Sequence, residues 1–257
     1  MILYPPAKIN LGLNVVSKRP DGYHDLETVF YPLFDVTDIL EVNVIDGEKG
    51  TVVLTLGGNP IDGDAEKNLV VKAYRILAND FELLAMSINL TKRIPMQAGM
   101  GGGSADAAYT LKSVNELANL GLTDDQLEAY ALKLGADCPF FIRCRPCFAT
   151  GVGEKMTPID FSLDGYEVRY IKDDGISVST ADAFRNIPVA KPERECVDIV
   201  LNEPMERWKE LLKNDFETTV FAKYPKLAEI KQKMYDDGAV YAVMTGSGSA
   251  VIGIFGK

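Results

Sequence analysis

The stretch "PMQAGMGGGSADAA", Pro95 to Ala108, is built for close approach of backbone, with four glycines between Gly99 and Gly103. Each glycine weakens a helix or strand by roughly 0.5–1 kcal/mol, so such a cluster needs a compensating use. The stretch lies between a strand expected over "SINLTK" and a helix expected from the spacing of Ala107, Leu111, Val114 and Ala118. A glycine loop placed there can bring several N–H groups to one anion, and the helix N-terminus adds donors and a favourable dipole. Ser104 supplies a hydroxyl at the start of that helix, and Ala105, Ala107 and Ala108 let it pack closely. The chemistry implied is a phosphate cradle. The plain alternative is a tight strand-to-helix crossing with no ligand. A Walker-type loop needs a lysine before its Ser or Thr, and Gly103 holds that place. A dinucleotide fingerprint needs a following strand ending in an acid, and a second helix is expected there instead.

A second constellation lies near the N-terminus. In "KINLGLNVV", Ile9, Leu11, Leu13 and Val15 alternate with Lys8, Asn10, Gly12 and Asn14. The pattern predicts a half-buried strand with Lys8 and Asn10 side by side on the non-core face and Gly12 clearing space beside them. A solvated face is the ordinary reading of such a lysine. The turn "RPDG" is followed by Tyr23 and by His24, the single histidine. "CRPC" has the spacing of half a zinc site or of a redox pair. Further ligands at suitable spacing are lacking, so Cys138, Cys144, Cys147 and Cys196 are expected to be reduced, mostly buried thiols.

These residues need a scaffold to position them. The chain has 257 residues, 47% apolar and 25% charged, which is ordinary globular composition. "ILEVNVI" and "TVVLTL" read as strands joined by the turn "DGEKG", and "KNLVVKAYRILANDF" has helical spacing. "TDDQ" at Thr123–Gln126 is a capping-box pattern for a helix ending at Gly135. "YEVRYIK" reads as a strand, with helices expected around Trp208–Leu212 and Leu227–Met234 and a strand pair over "YAVMTGSGSAVIGIF". The fold class is α+β with two lobes, divided near Glu154–Asp164 into domains 1–154 and 155–257. The net charge of −10 argues against general nucleic-acid binding, which relies on basic surfaces. No apolar run reaches membrane-spanning length, and the N-terminus lacks signal-peptide features. A soluble, cytoplasmic protein is expected.

Three motifs in order, "PPAKINLGLNV", "PMQAGMGGGSADAA" and "MTGSGSAVIGIF", resemble the galactokinase, homoserine kinase, mevalonate kinase and phosphomevalonate kinase group. Within it, "RPDGYHDL", "LGADCPFF", "TGVGE" and "GISVST" look like the members that phosphorylate a cytidine-diphosphate derivative of methylerythritol at its 2-hydroxyl, in non-mevalonate isoprenoid synthesis. The resemblance implies a two-domain kinase with its active site in the cleft between the lobes. It also implies a left-handed β-α-β connection in the first lobe, use of ATP with Mg2+, and a small-molecule substrate carrying cytidine diphosphate. Lys8 and Asp137 match the catalytic pair. Pro95, Met96, Gln97, Ala98, Gly99, Met100, Gly101, Gly102, Gly103, Ser104 and Ala105 match the ATP phosphate loop, with Ser104 the candidate metal ligand. Asn10, Tyr23, His24 and Phe184 match the substrate positions, the two aromatics bracketing the cytosine and His24 hydrogen-bonding it. Gly246, Ser247 and Gly248 match the third motif, which backs the catalytic loop at the substrate. Gln97 and Ala98 stand where glycines are common in the family. A terminal helix of some members is expected to be short or absent after "GIF".

Phosphoryl transfer needs positioning and charge neutralisation more than covalent help. An ordinary Asp, with a pKa near ~3.9, is ionised but a weak base for the attacking hydroxyl; Lys8 close by would keep Asp137 charged. Two other readings stay open from the sequence. One is a kinase for homoserine or mevalonate, against which "DGYH" and Phe184 speak. The other is a non-catalytic nucleotide-binding protein, against which Lys8 and Asp137 together speak.

Overall fold

Alternating aliphatic residues set the strands, and glycine, proline and capping residues set their ends. The computed structural model describes residues 1–61, 63–185 and 187–257. In chain order its strands are β1 (Ile2–Leu3), β2 (Pro6–Lys18), β3 (His24–Thr37), β4 (Ile39–Val44), β5 (Val52–Gly58), β6 (Met86–Lys92), β7 (Cys147–Gly151), β8 (Lys155–Pro158), β9 (Tyr166–Ile171), β10 (Tyr241–Met244) and β11 (Val251–Gly256). The helices are α1 (Leu69–Ala78), α2 (Gly102–Leu117), α3 (Asp124–Leu134), α4 (Phe140–Arg143), α5 (Thr180–Phe184), α6 (Cys196–Asn202), α7 (Trp208–Leu211), α8 (Phe216–Lys223) and α9 (Pro225–Asp236). The α+β class read from the sequence holds. Among the described residues no helix is long and apolar enough to cross a membrane.

Two compact units form, each assembled from separated stretches of chain. The first comprises Met1–Ala7, Pro32–Met96 and Gly101–Arg145; the second comprises Lys8–Tyr31, Gln97–Met100 and Pro146–Lys257. The boundary expected after residue 154 therefore falls inside the second unit. The cause is strand pairing: β3 pairs with β7 from Leu26↔Gly151 to Phe30↔Cys147, which joins N-terminal strands to the later chain.

In the first unit the sheet order is β1-β4-β6-β5. Met86, Ile88, Leu90 and Lys92 of β6 are buried and alternate with the partly exposed Ser87, Asn89 and Thr91. β5 runs parallel to β6, from Val52↔Met86 to Gly58↔Lys92, with α1 in the connection. The two strands expected on either side of the turn "DGEKG" are β4 and β5, and they do not pair with each other, because β6 inserts between them. Helices α1, α2 and α3 pack on one another, and α2 also meets β4. Thr123 and Gln126 form the expected capping box at the start of α3, and Gly135 closes it.

In the second unit, β10, β11 and β9 form an antiparallel sheet against which α9 packs. A further sheet runs β2-β3-β7-β8. One core joins Leu13 and Val15 of β2 to Ile176, Val178, Phe216, Leu227 and Met244, with Phe184 packed against it. Strand β2 is not half-buried as its alternation suggested, because its polar face is covered too. Lys8 is 4% and Asn10 1% exposed. The space beside Gly12 is filled by protein: an added Cβ would meet the Leu212 side chain and lie 2.8 Å from Cys196 Sγ.

Candidate active site

The glycine loop begins where β6 ends. Arg93 N and Ile94 N both donate to Asp38 Oδ1, the latter at 2.9 Å, which fixes the exit of the strand. From Gln97 to Met100 every carbonyl is engaged inside the second unit. Ser249 N donates to Gln97 O and Ala250 N to Ala98 O, both at 3.2 Å; Lys8 N donates to Met100 O at 2.9 Å. Thr245 Oγ1 donates to Gly99 O at 3.3 Å. In a trans peptide the next N–H points opposite to the carbonyl. The N–H groups of Ala98, Gly99, Met100 and Gly101 therefore turn away from those partners, in the manner of an anion-binding row. Gly99 has to be glycine here, since a Cβ would land on the Thr245 carbonyl. Gly101, at φ 71°, is the N-cap of α2 and brings no capping side chain to its first N–H groups. These features make a cradle that fits phosphate.

Beneath α2 in the first unit lies a buried charge cluster. Lys92 Nζ donates to Asp38 Oδ2 and, at 2.7 Å, to Asp106 Oδ2, with all three side chains 2% exposed or less. Burial pushes the Asp106 carboxyl up to about 7; Lys92 opposes the rise and the Asp38 charge adds to it. Asp106 Oδ1 has no hydrogen-bond partner among the described residues. Ser104, two residues earlier, hydrogen-bonds the thiol of Cys138, the residue after Asp137. This brings the start of α2 and the segment carrying Asp137 to one corner of the first unit. Asp137 itself is half-buried between Gly135 and α4, in a turn closed by Cys138 N donating to Gly135 O at 3.1 Å.

In the second unit one network joins residues of all three motifs. Lys8 Nζ donates to Asn10 Oδ1 at 2.8 Å and lies 4.3 Å from the centroid of the Phe30 ring. Asn10 Nδ2 donates to Thr28 Oγ1 at 3.0 Å, and Thr28 Oγ1 donates to Gly12 O. Asn10 N donates to Thr245 Oγ1 at 3.0 Å. Thr245 precedes Gly246 of the third motif and reaches Gly99 of the glycine loop. Gly246 and Gly248 are buried, and Ser247 Oγ lies 3.1 Å from Thr180 Oγ1.

His24 and Phe184 meet with ring centroids 4.7 Å apart and planes 17° from parallel. Phe184 is backed edge-on by Phe216, at 4.8 Å. A base hydrogen-bonded edge to edge with His24 would lie near the imidazole plane and so nearly parallel to Phe184. Tyr23, which the sequence reading paired with Phe184, is 64% exposed beside the Arg19–Tyr23 turn. The parallel partner of Phe184 is His24.

Sequence reasoning missed Thr28, Thr245, Asp38, Lys92 and Asp106. Thr245 and Asp106 lie inside quoted motifs, and Lys92 continues the buried alternation of β6. Nothing local marks Thr28 or Asp38. The cysteines are free thiols. Burial pushes Cys144 up to about 11, opposite to the lowered pKa of a redox-active thiol.

Comparison with known proteins places these features in a family. Residues 68–145 match the family described as GHMP kinases N terminal domain, and residues 198–257 match GHMP kinases C terminal. A Bacteroides fragilis protein named 4-diphosphocytidyl-2-C-methyl-D-erythritol kinase is 51% identical over 255 residues, covering 99% of this chain and 92% of that protein. A Parabacteroides distasonis protein of the same name is 49% identical, covering 100% of this chain and 92% of its own. A crystal structure of 4-(cytidine 5'-diphospho)-2C-methyl-D-erythritol kinase superposes with a TM-score of 0.79 at 32% identity, covering 98% of this chain and 89% of that one.

Proposed function

This chain belongs to the 4-diphosphocytidyl-2-C-methyl-D-erythritol kinases of the GHMP kinase family, and from that premise we propose which of its residues carry the reaction. The chain is an ATP-dependent kinase that phosphorylates the 2-hydroxyl of 4-diphosphocytidyl-2-C-methyl-D-erythritol, a step of non-mevalonate isoprenoid synthesis. Both substrates are small, water-soluble phosphate esters, and we place the reaction in the cytoplasm.

The observation that carries the site assignment is the single network linking Lys8 and Asn10 to Thr245 and the Gly99 carbonyl. Three separated motifs converge there. Gln97–Gly101 and the start of α2 hold the triphosphate through backbone N–H groups. Asp137 accepts the proton of the attacking hydroxyl. Lys8, oriented by Asn10, stabilises the charge that develops on the oxygens around it. His24 reads the polar edge of the cytosine, and Phe184 and Tyr23 supply its aromatic walls.

Among the described residues no group of three or more His, Cys, Asp or Glu side chains is arranged to hold a metal. The hard hydroxyl oxygen of Ser104 suits Mg2+, a cation that takes few protein ligands when it is bound with nucleotide phosphates. When bound it would neutralise charge on the transferred phosphoryl group.

The test is ADP release from ATP and Mg2+ with the cytidyl substrate, beside free methylerythritol, homoserine and mevalonate. Turnover is expected with the cytidyl substrate alone. Equal turnover with free methylerythritol would remove the pyrimidine from recognition, and turnover confined to homoserine or mevalonate would overturn the reading.

A further inference from the structure

Gln97 holds a φ of 51°, a left-handed conformation that side-chain-bearing residues adopt rarely. A glycine would adopt that conformation freely. Such a residue persists where its surroundings over-determine it. At Gln97 those surroundings are specific. Its side-chain Oε1 accepts from Ser177 Oγ, while its carbonyl accepts from Ser249 N at 3.2 Å. Ser249 Oγ in turn donates to Ile176 O at 2.9 Å. The glycine loop is thus tied twice to the segment entering α5. Ser177, Ser179 and Thr180 of that segment are exposed while Ile176, Val178 and Ala183 are seated in the core, so the Gln97–Ser177 bond sets the exposed side of a segment whose buried side is fixed by packing. Four residues beyond Thr180, at the end of α5, Phe184 lies on His24.

We propose that Gln97 is a positioning residue that couples occupancy of the phosphate loop to the aromatic base site. Triphosphate bound on the loop N–H groups fixes Gln97. Gln97 fixes Ser177, and the Ile176–Phe184 segment then presents Phe184 in one arrangement. A glycine at position 97 would bind phosphate without this side-chain link. The inference rests on the assignment of the loop to ATP and of Phe184 to the pyrimidine. Coupling of this kind is reciprocal, so cytidine diphosphate should tighten the nucleotide by the same factor as the nucleotide tightens it.

The experiment is calorimetric titration of the full chain with CDP, with and without a saturating, non-hydrolysable ATP analogue and Mg2+. In the wild type the analogue should tighten CDP by at least about fivefold. Ser177→Ala and Gln97→Gly should each cut that factor to below about twofold. Ser177→Ala should leave CDP affinity without nucleotide near the wild-type value, and Ser177→Thr, which keeps the hydroxyl, should restore the factor. A merely structural role would shift both affinities together and leave their ratio alone. An unchanged ratio in both Ser177→Ala and Gln97→Gly, or no coupling in the wild type, overturns the proposal. Phe184→Ala separates the two levels of the argument. If it weakens CDP binding while the ratio survives loss of the Gln97–Ser177 link, the coupling fails and the site assignment stands. If CDP does not bind, or binds regardless of Phe184, the site assignment fails and the coupling with it.

Discussion

The two units each bury a lysine, and they do so with different partners. Lys92 is held in the first unit by the carboxylates of Asp38 and Asp106, at 1% side-chain exposure. Lys8, 4% exposed, donates in the second unit to the neutral amide oxygen of Asn10 and lies over the Phe30 ring. Two buried carboxylates fix the Lys92 ammonium within the first unit, whereas the Asn10 amide oxygen orients the Lys8 ammonium within the network that reaches Thr245 and the Gly99 carbonyl. The free oxygen of Asp38 goes on to bind Arg93 N and Ile94 N. The Lys92 cluster therefore acts on the backbone that enters the glycine loop. The Lys8 network ties its lysine to residues of all three motifs. Burial is common to both lysines, and the proposed function assigns the Lys8 network to the reaction and the Lys92 cluster to the scaffold.

The largest expected effect is on the catalytic side. Asp137→Asn should lower kcat by about 10²–10⁴-fold, the usual range for a general base, with ATP KM and melting temperature close to wild type. A variant keeping more than about a tenth of wild-type kcat would take Asp137 out of the reaction. The two lysines then test the contrast directly. Lys92→Met leaves buried carboxylates without their cation and should cost about 3–5 kcal/mol of stability in a denaturant titration. Lys8→Met should instead lower kcat by about 10²–10³-fold with a much smaller loss of stability. The contrast breaks if the two substitutions damage stability equally.

A smaller effect is expected at the proposed base site. His24→Ala and Phe184→Ala should each raise KM for the cytidyl substrate by the equivalent of about 1–3 kcal/mol, the worth of stacking a base on an aromatic ring. ATP KM should move little in these steady-state assays.

The smallest effect sharpens the scaffold half. The Asp106 carboxyl is pushed up to about 7 by burial, so the folded state keeps its proton while the unfolded state has lost it. From about pH 4 to about pH 7 the folded state binds more protons, and stability contributed by this group falls as pH rises, then stays level. Asp106→Asn removes that penalty and keeps an acceptor for Lys92. It should raise the melting temperature at pH 8 by several degrees (~2–4 °C per kcal/mol at about this size) and hardly at all near pH 4.5. A drop at pH 8 would show that Lys92 needs both charges.

The legible parts of the molecule were the local ones. The capping box at Thr123–Gln126, the α2 spacing after the glycine loop and the β10–β11 pair depend on residues near one another in sequence. What escaped depends on distant partners. The polar face of β2 looked solvated because Thr28 and Thr245, which cover Asn10, lie 18 and 235 residues away. The turn between β4 and β5 was legible but their separation was not, because nothing local shows β6 entering between them. Asp38 was silent because its partner Lys92 is 54 residues on. The family motifs pointed to Tyr23, His24 and Phe184 together, but only the folded chain pairs His24 with Phe184.

The central claim is transfer of the γ-phosphoryl group to the 2-hydroxyl of the cytidyl substrate. It is tested most directly by phosphorus NMR of the product formed from ATP, Mg2+ and substrate labelled with carbon-13 at the methyl-bearing carbon. The expected result is one new phosphomonoester signal coupled to that carbon, with the diphosphate signals of the cytidyl group retained. ADP accompanied only by free phosphate, or a phosphomonoester without coupling to that carbon, would contradict it.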